Sequence, residues 1–178
     1  MYLLVRRVFK ARPLARDMSL YGAMFVGAEL MQQTLLKKVW KEEKDQEYDL
    51  KVLGRYTFYG FVWYPVIYHY WYRWLDARFV GTSLAVVATK TLIDQFVIEP
   101  PLITSFYVGM SLMEGKEDIT EEWRVKFLTT FISGSVFWLP VMAINFRLMP
   151  NSMRVIFLGA AQFFWRNFVS WYKRQSIE

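Results

Sequence analysis

Residues 127–146 (FLTTFISGSVFWLPVMAINF) run for 20 positions without a formal charge. A hydrocarbon layer ~30 Å thick is crossed by about 20 helical residues, since in lipid the backbone must satisfy its own polar groups. Residues 56–72 (YTFYGFVWYPVIYHYWY) add 17 uncharged positions, in which His69 alone titrates near neutrality. In a chain of 178 residues, two such stretches leave room for little besides one helical membrane domain. Composition taken alone understates this. Charged residues reach 21%, but they are segregated from the apolar runs.

Missing residue types narrow the function. There is no cysteine and a single histidine, which excludes disulfides, thiolate metal sites, cysteine nucleophiles, prenylation and palmitoylation. A zinc site of the H-E-x-x-H kind needs two histidines. Neither G-x-x-x-x-G-K-[ST] nor G-x-G-x-x-G occurs: Gly115-Lys116 lacks the upstream glycine and is followed by Glu117. No N-x-[ST] acceptor is present. Carboxylate chemistry or an unusual serine survives, with no organised constellation to favour it, so a non-enzymatic protein without cofactor or metal is expected. The net charge of +6 and pI near 9.5 reside mainly in segments flanking the apolar runs. There Lys and Arg meet anionic lipid headgroups, and membrane-surface contact is expected in place of nucleic acid.

Residues 1–17 (MYLLVRRVFKARPLARD) form a basic, partly amphipathic arm with Arg6, Arg7, Lys10, Arg12 and Arg16 against Asp17. Their order is the reverse of a secretory signal; they fit either mitochondrial import or a juxtamembrane arm. A single transmembrane domain is expected over 18–174. Its first, weak span is 18–36, with Glu29 inside it and Gln32 and Gln33 near its end. Ala23 and Gly27 have the small-xxx-small spacing that lets membrane helices approach closely. Residues 37–55 switch to mixed charge and read as a solvated segment. The second span follows at 56–75. Residues 84–113 would make a straight helix ~45 Å long, more than the layer needs, and Pro100-Pro101 forbids an unbroken hydrogen-bond ladder. A helix broken or kinked there is expected. Residues 114–126 read as an acidic solvated connection. The fourth span is 127–146, and a fifth apolar segment, about 153–172, contains Arg166. The fold class is therefore an all-α membrane bundle of four helices, five if the last segment crosses. Lys and Arg are divided too evenly between alternate loops for the positive-inside rule to orient it.

Polar groups at membrane depth are the candidate site. Lys90 and Asp94 are four residues apart, share a helix face and can pair. Gln95 and Glu99 extend the polar surface toward the proline pair. An isolated charge at that depth costs ~2.5–3.5 kcal/mol on insertion scales. The cluster either lines a hydrated path or fixes helix packing. His69, among Tyr68, Tyr70, Trp71 and Tyr72, reads as a hydrogen-bonded structural group in an interfacial aromatic belt, and Asp76 as a local cap or a partner for Arg73. Arg147 and Arg154, beside the helix stop at Pro150, read as headgroup contacts.

These motifs together resemble the Mpv-seventeen and peroxisomal membrane protein family, over about residues 15–174. His69-Tyr70-Trp71-Tyr72 with Leu75-Asp76 is similar to the family's H-x-W-Y-x-x-L-D segment. Lys90, Asp94-Gln95 and Pro100 fit K-x-x-x-D-Q-x-x-x-x-P. Asn145-Phe146, Pro150 and Arg154 fit N-F-x-x-V-P-x-x-x-R, with Met149 replacing Val, and Trp165 with Ser170 fits a late W-x-x-x-x-S. Residues 105–116 resemble the Mpv-seventeen-like branch. Two departures stand out: Pro65 lies one residue earlier than the family's proline, and in Trp138-Leu139-Pro140 the expected downstream Gln is Met142, which cannot make an amide's hydrogen bonds. The resemblance implies an integral protein of the mitochondrial inner membrane, or of the peroxisomal membrane, with channel-like permeability and links to reactive-oxygen metabolism and mitochondrial DNA maintenance. The leading expectation is a passive small-solute pore, homo-oligomeric because so few helices enclose little volume. The rival is a non-conducting scaffold of a membrane complex.

Overall fold

The computed structural model describes residues 13–35, 48–81, 83–148 and 151–175; for 13, 145–147, 151–156, 158 and 159 it describes the backbone alone. Helices joined by short turns make up the described residues, among which there is no strand. The segments 1–12 and 36–47, and with them most of the basic arm and of the charged 37–55 stretch, lie outside the described residues, as does Pro150. The chain divides into two compact units, Met1–Arg78 and Phe79–Glu178.

The first unit packs α1 (Pro13–Leu35) against a long rod made of α2 (Leu50–Phe58), one π-helical turn (Tyr59–Trp63) and α3 (Tyr64–Arg78). Asp49 starts the rod as an N-cap, its carboxylate accepting from the Lys51 and Val52 amides at 2.9 and 3.0 Å. The close approach falls at Gly22 and Gly60, where a Cβ on Gly60 would lie 2.6 Å from Phe25 Cβ and 3.1 Å from Gly22 Cα. Small residues do bring these helices together, but not the Ala23–Gly27 pair that the spacing suggested: Ala23 is exposed. Glu29, fully buried, accepts from Gln33 Nε2 at 3.0 Å. The same amide exchanges two bonds with the Asp49 backbone, at 2.9 and 3.2 Å. Gln32 and Gln33 thus belong to the polar interior of this unit.

The second unit holds α4 (Leu84–Ile93), a second π turn (Asp94–Ile98) and α5 (Glu99–Glu114) as one rod, followed by α6 (Glu121–Arg147) and α7 (Asn151–Arg174). The expected break at Pro100-Pro101 is corrected here: the helical path continues from Leu84 to Glu114. The prolines occupy the first turn of α5, where a missing N–H is tolerated. The π turn just before them, closed by the Glu99 amide on the Asp94 carbonyl, widens the backbone where a proline ring would otherwise meet the carbonyl four residues earlier. Pro65 follows the Tyr59–Trp63 π turn at the same offset. Two helices, Leu84–Glu114 and Glu121–Ile144, are long and apolar enough to cross a membrane. Along α6, Leu128, Ile132 and Val136 are 52–69% exposed, an apolar face of the kind lipid covers.

Candidate functional site

The 90–99 polar cluster lies along the α4–α5 rod. Lys90, Asp94 and Glu99 are half-buried and Gln95 is buried. Asp94 opens the π turn, its amide bonding the Lys90 and Thr91 carbonyls. Gln95 reaches across to α6, donating from Nε2 to Ser135 Oγ at 3.0 Å, while that hydroxyl donates to the Phe131 carbonyl at 2.9 Å. One member of the cluster therefore joins two helices through a satisfied hydrogen-bond chain. The three ionisable members stay at the half-buried edge of the same rod.

Deeper in the second unit is a charge network at the joined ends of α5, α6 and α7. The reading of 114–126 as a solvated connection is corrected by it: Glu122 and Lys126 are 4% and 2% exposed. Glu122 stands in the first turn of α6 and Lys173 in the last turn of α7, each at the helix end whose dipole favours its charge. The Glu122 carboxylate meets Lys116 and Lys173 at 2.6 Å each, and Lys173 also contacts Glu114 at 3.1 Å. Lys126 Nζ donates to the Lys173 and Gln175 carbonyls at 2.9 and 2.6 Å, satisfying acceptors that the end of α7 leaves open. Gly115, in the left-handed region at φ 71°, ends α5 and turns Lys116 back toward Glu122. Burial pulls the Lys116 ammonium down, but its hydrogen bond to Glu122 and the two nearby carboxylates outweigh that and hold its pKa above the usual lysine value. The signal in the sequence is faint. Glu122 and Lys126 have pairing spacing, but the fold alone brings Lys173 to them.

Beside the network, exposed Asp118 accepts from Arg124 and from the Thr120 amide and hydroxyl, and these bonds lower its pKa to about 2. A carboxyl lowered in the folded state stabilises above its unfolded pKa of about 3.9. That contribution fades as pH falls toward 2. Arg124→Gln is expected to move the Asp118 midpoint upward by about one unit or more, toward the unfolded value, as read by carbon-detected NMR titration in micelles.

In the first unit, His69 Nδ1 lies 3.0 Å from Asp17 Oδ2, tying α3 to α1. The other Asp17 oxygen takes the Arg16 guanidinium at 2.9 Å. The structural reading of His69 fits this geometry. Trp71 stacks on Trp74 with centroids 5.2 Å apart, and Tyr72 on Tyr68 at 5.5 Å. Asp76 does not pair with Arg73: the guanidinium makes no ion pair or hydrogen bond among the described residues. Asp76 and His69 share a cleft on this unit. In the second unit Trp165 is buried, stacked on Phe137 at 5.6 Å and Phe168 at 5.3 Å, while Trp138 meets Phe137 edge-on at 5.1 Å. The side chains of Asn145, Phe146, Arg147 and Arg154 lie outside the described residues.

Long apolar helices with exposed aliphatic faces, whose charges lie at helix ends, at a half-buried edge or, like Glu29, inside the packed unit, define a helical membrane protein. Residues 111–170 match the Mpv17 / PMP22 family. PXMP2/4 family protein 4 of Dictyostelium discoideum is 33% identical over 130 residues, covering 72% of this chain and 70% of that protein. The Mpv17-like protein of Xenopus laevis is 27% identical over 94% of this chain and 80% of its own length. Peroxisomal membrane protein 2 of Bos taurus is 24% identical over 89% and 82%. The chain belongs to the Mpv17 / PMP22 family of membrane proteins. No solved structure matches it.

Proposed function

We propose that the protein is a passive, non-enzymatic path for small solutes across an organellar membrane, the mitochondrial inner membrane first and the peroxisomal membrane second. The names of its relatives support an organellar membrane; the choice between the two organelles follows the stronger likeness to Mpv17-like proteins. The helical stretches, 23 to 31 residues long, suit a bundle of four spans, or five with α7. The observation that carries the conduction reading is the half-buried row Lys90, Asp94 and Glu99 along a helix otherwise apolar enough to cross, since ionisable groups at that depth mark polar pathways. The path would form between copies of the chain, with anionic headgroups meeting its basic flanks and no nucleic acid involved. Support of reactive-oxygen metabolism and mitochondrial DNA maintenance would follow from solute flux.

The test is single-channel recording of purified protein in planar bilayers. Discrete currents are expected, and Asp94→Asn should change the cation-over-anion preference by about two-fold or more, the effect of removing a potential of order kT. Silence from folded, inserted protein refutes conduction. The second reading, a scaffold that assembles a membrane complex, is favoured by the Gln95–Ser135 bond, which uses the cluster as helix glue. It predicts stoichiometric co-purification with partners and no current.

A further inference from the structure

We infer that the cleft on the first unit binds a phosphate monoester, the group shared by phosphatidic acid headgroups and free phosphomonoesters. The cleft has a volume of about 550 Å³, within the range of small-ligand sites. Arg16 and Asp17 reach it from α1, and His69, Arg73 and Asp76 from α3. Two arginines against two aspartates leave the charge count undecided; hydrogen-bond capacity decides. Asp17 has one oxygen on Arg16 at 2.9 Å and the other on His69 Nδ1 at 3.0 Å. Asp76 is engaged as well. The Arg73 guanidinium makes no hydrogen bond or ion pair among the described residues, and Arg16 binds Asp17 through Nε and Nη2, leaving Nη1. The cleft therefore holds unused donors beside carboxylates that already have partners. The group that complements it is anionic and rich in acceptors.

His69 selects among anions. It lies four residues before Arg73, one turn along the same face of α3. Because Nδ1 carries its hydrogen toward the Asp17 carboxylate, Nε2 is the ring nitrogen left for a ligand. A phosphate monoester has a second pKa of about 6, so one of its oxygens can hold or release a proton. It donates P–O–H to a neutral Nε2 or accepts N–H from an imidazolium. In either state its other oxygens take the Arg73 fork. A diester has no such oxygen and bonds this nitrogen only when the imidazole is protonated. A carboxylate can hold a proton, but its two oxygens are used up by one guanidinium. The tetrahedral monoester keeps a third for the ring.

Tyr70 and Trp74, 61% and 52% exposed beside the cleft on α3, form the kind of aromatic belt that settles at the headgroup level of a bilayer. This placing rests on the membrane reading above; the balance of donors and acceptors does not.

The test is native mass spectrometry of the detergent-purified full chain, titrated with phosphatidic acid and with phosphatidylglycerol of the same acyl chains. Retention of phosphatidic acid about ten-fold above phosphatidylglycerol is expected, the effect of one charge-assisted hydrogen bond. Arg73→Gln should lower retention of both lipids about ten-fold, the loss of the contact they share. His69→Asn keeps an N–H for Asp17 where Nδ1 stood and removes Nε2, so it should erase the preference between the lipids. Arg73 is exposed, and unchanged thermal unfolding of each variant separates lost binding from lost fold. Displacement by glycerol 3-phosphate assigns the affinity to the phosphomonoester alone; lipid held against it assigns it to headgroup and acyl chains together. Equal retention of the two lipids by the parent, an Arg73→Gln protein that binds as the parent does, or a preference that survives in folded His69→Asn overturns the inference. A protein that selects phosphatidic acid but passes no current loses the conduction reading and keeps this one. Currents with indiscriminate lipid retention do the reverse.

Discussion

Glu122→Ala is expected to destabilise the second unit by about 3–5 kcal/mol, the effect of leaving buried charge without its partner. Its carboxylate is the shared anion of two ammoniums, at 2.6 Å from Lys116 and from Lys173. Lys116 is one-third exposed and can recover water; Lys173, at 8%, cannot. Glu114 stays within 3.1 Å of Lys173 and softens the loss without replacing a bond. In a domain of this size the apparent melting temperature in detergent should fall on the order of 10 °C. The double variant Glu122→Leu with Lys173→Met discriminates between mechanisms. Buried ion pairs are often replaceable by apolar groups of similar volume, so it should recover much of the fall. A double variant as unstable as Glu122→Ala would mean that the network contributes through something other than charge balance.

The second large effect is steric. Gly60→Ala gains about 0.5–1 kcal/mol from helix propensity and loses about 1–3 kcal/mol from overpacking. Its new methyl would meet Phe25 Cβ at 2.6 Å and the Gly22 backbone at 3.1 Å, neither of which can rotate away. Overpacking wins, and the helices must separate. Gly22→Ala meets ring atoms of Phe61 at 2.3–2.4 Å, but that ring is partly exposed and can swing outward, so the loss is smaller. Gly54→Ala, with nothing within 4 Å on an exposed turn of α2, keeps the propensity gain and should stabilise by about 0.5–1 kcal/mol. The expected order of thermal stability is Gly54→Ala above the parent, then Gly22→Ala, then Gly60→Ala. If Gly60→Ala matched Gly54→Ala, this contact would not set the spacing of the helices.

The long uncharged runs announced the helices because length and apolarity act locally, and the observed bounds differ from the expected spans by a few residues at the ends. The spans at 84–113 and 127–146 became Leu84–Glu114 and Glu121–Arg147. Glu121 and Glu122 lie outside the uncharged run, yet acidic residues suit a first helical turn and open α6. The Glu114–Lys116–Glu122–Lys173 network was hidden for a different reason. Its members span some 60 positions, and nothing local to Lys173 says that the end of α7 returns to the start of α6. Gly22 and Gly60 were hidden likewise, since close approach belongs to a pair and each glycine alone is common. The Lys90–Glu99 row was legible as polar residues in an apolar span. That Gln95 turns to Ser135 depends on which face meets α6, and the sequence does not carry that.

The two π turns act on the rest of their rods as single-residue insertions do. One extra residue advances a helix by about 100°, so residues on either side of the turn no longer continue one stripe. In the α4–α5 rod Gln95 is buried within the turn and Leu102, Ile103, Phe106, Tyr107, Met110 and Ser111 after it, while α4 before it buries none of its residues. A search for one amphipathic face through residues 84–114 would average two faces set at different angles. Restoring an ordinary turn by deleting one residue from 94–98 would bring them into phase. It would also rotate Phe106 and Tyr107 out of their places relative to Lys90 and Thr91. The π turn is therefore a phase shifter: it lets one continuous helix present its polar row and its packing face in directions that an unbroken 3.6-residue period would not combine.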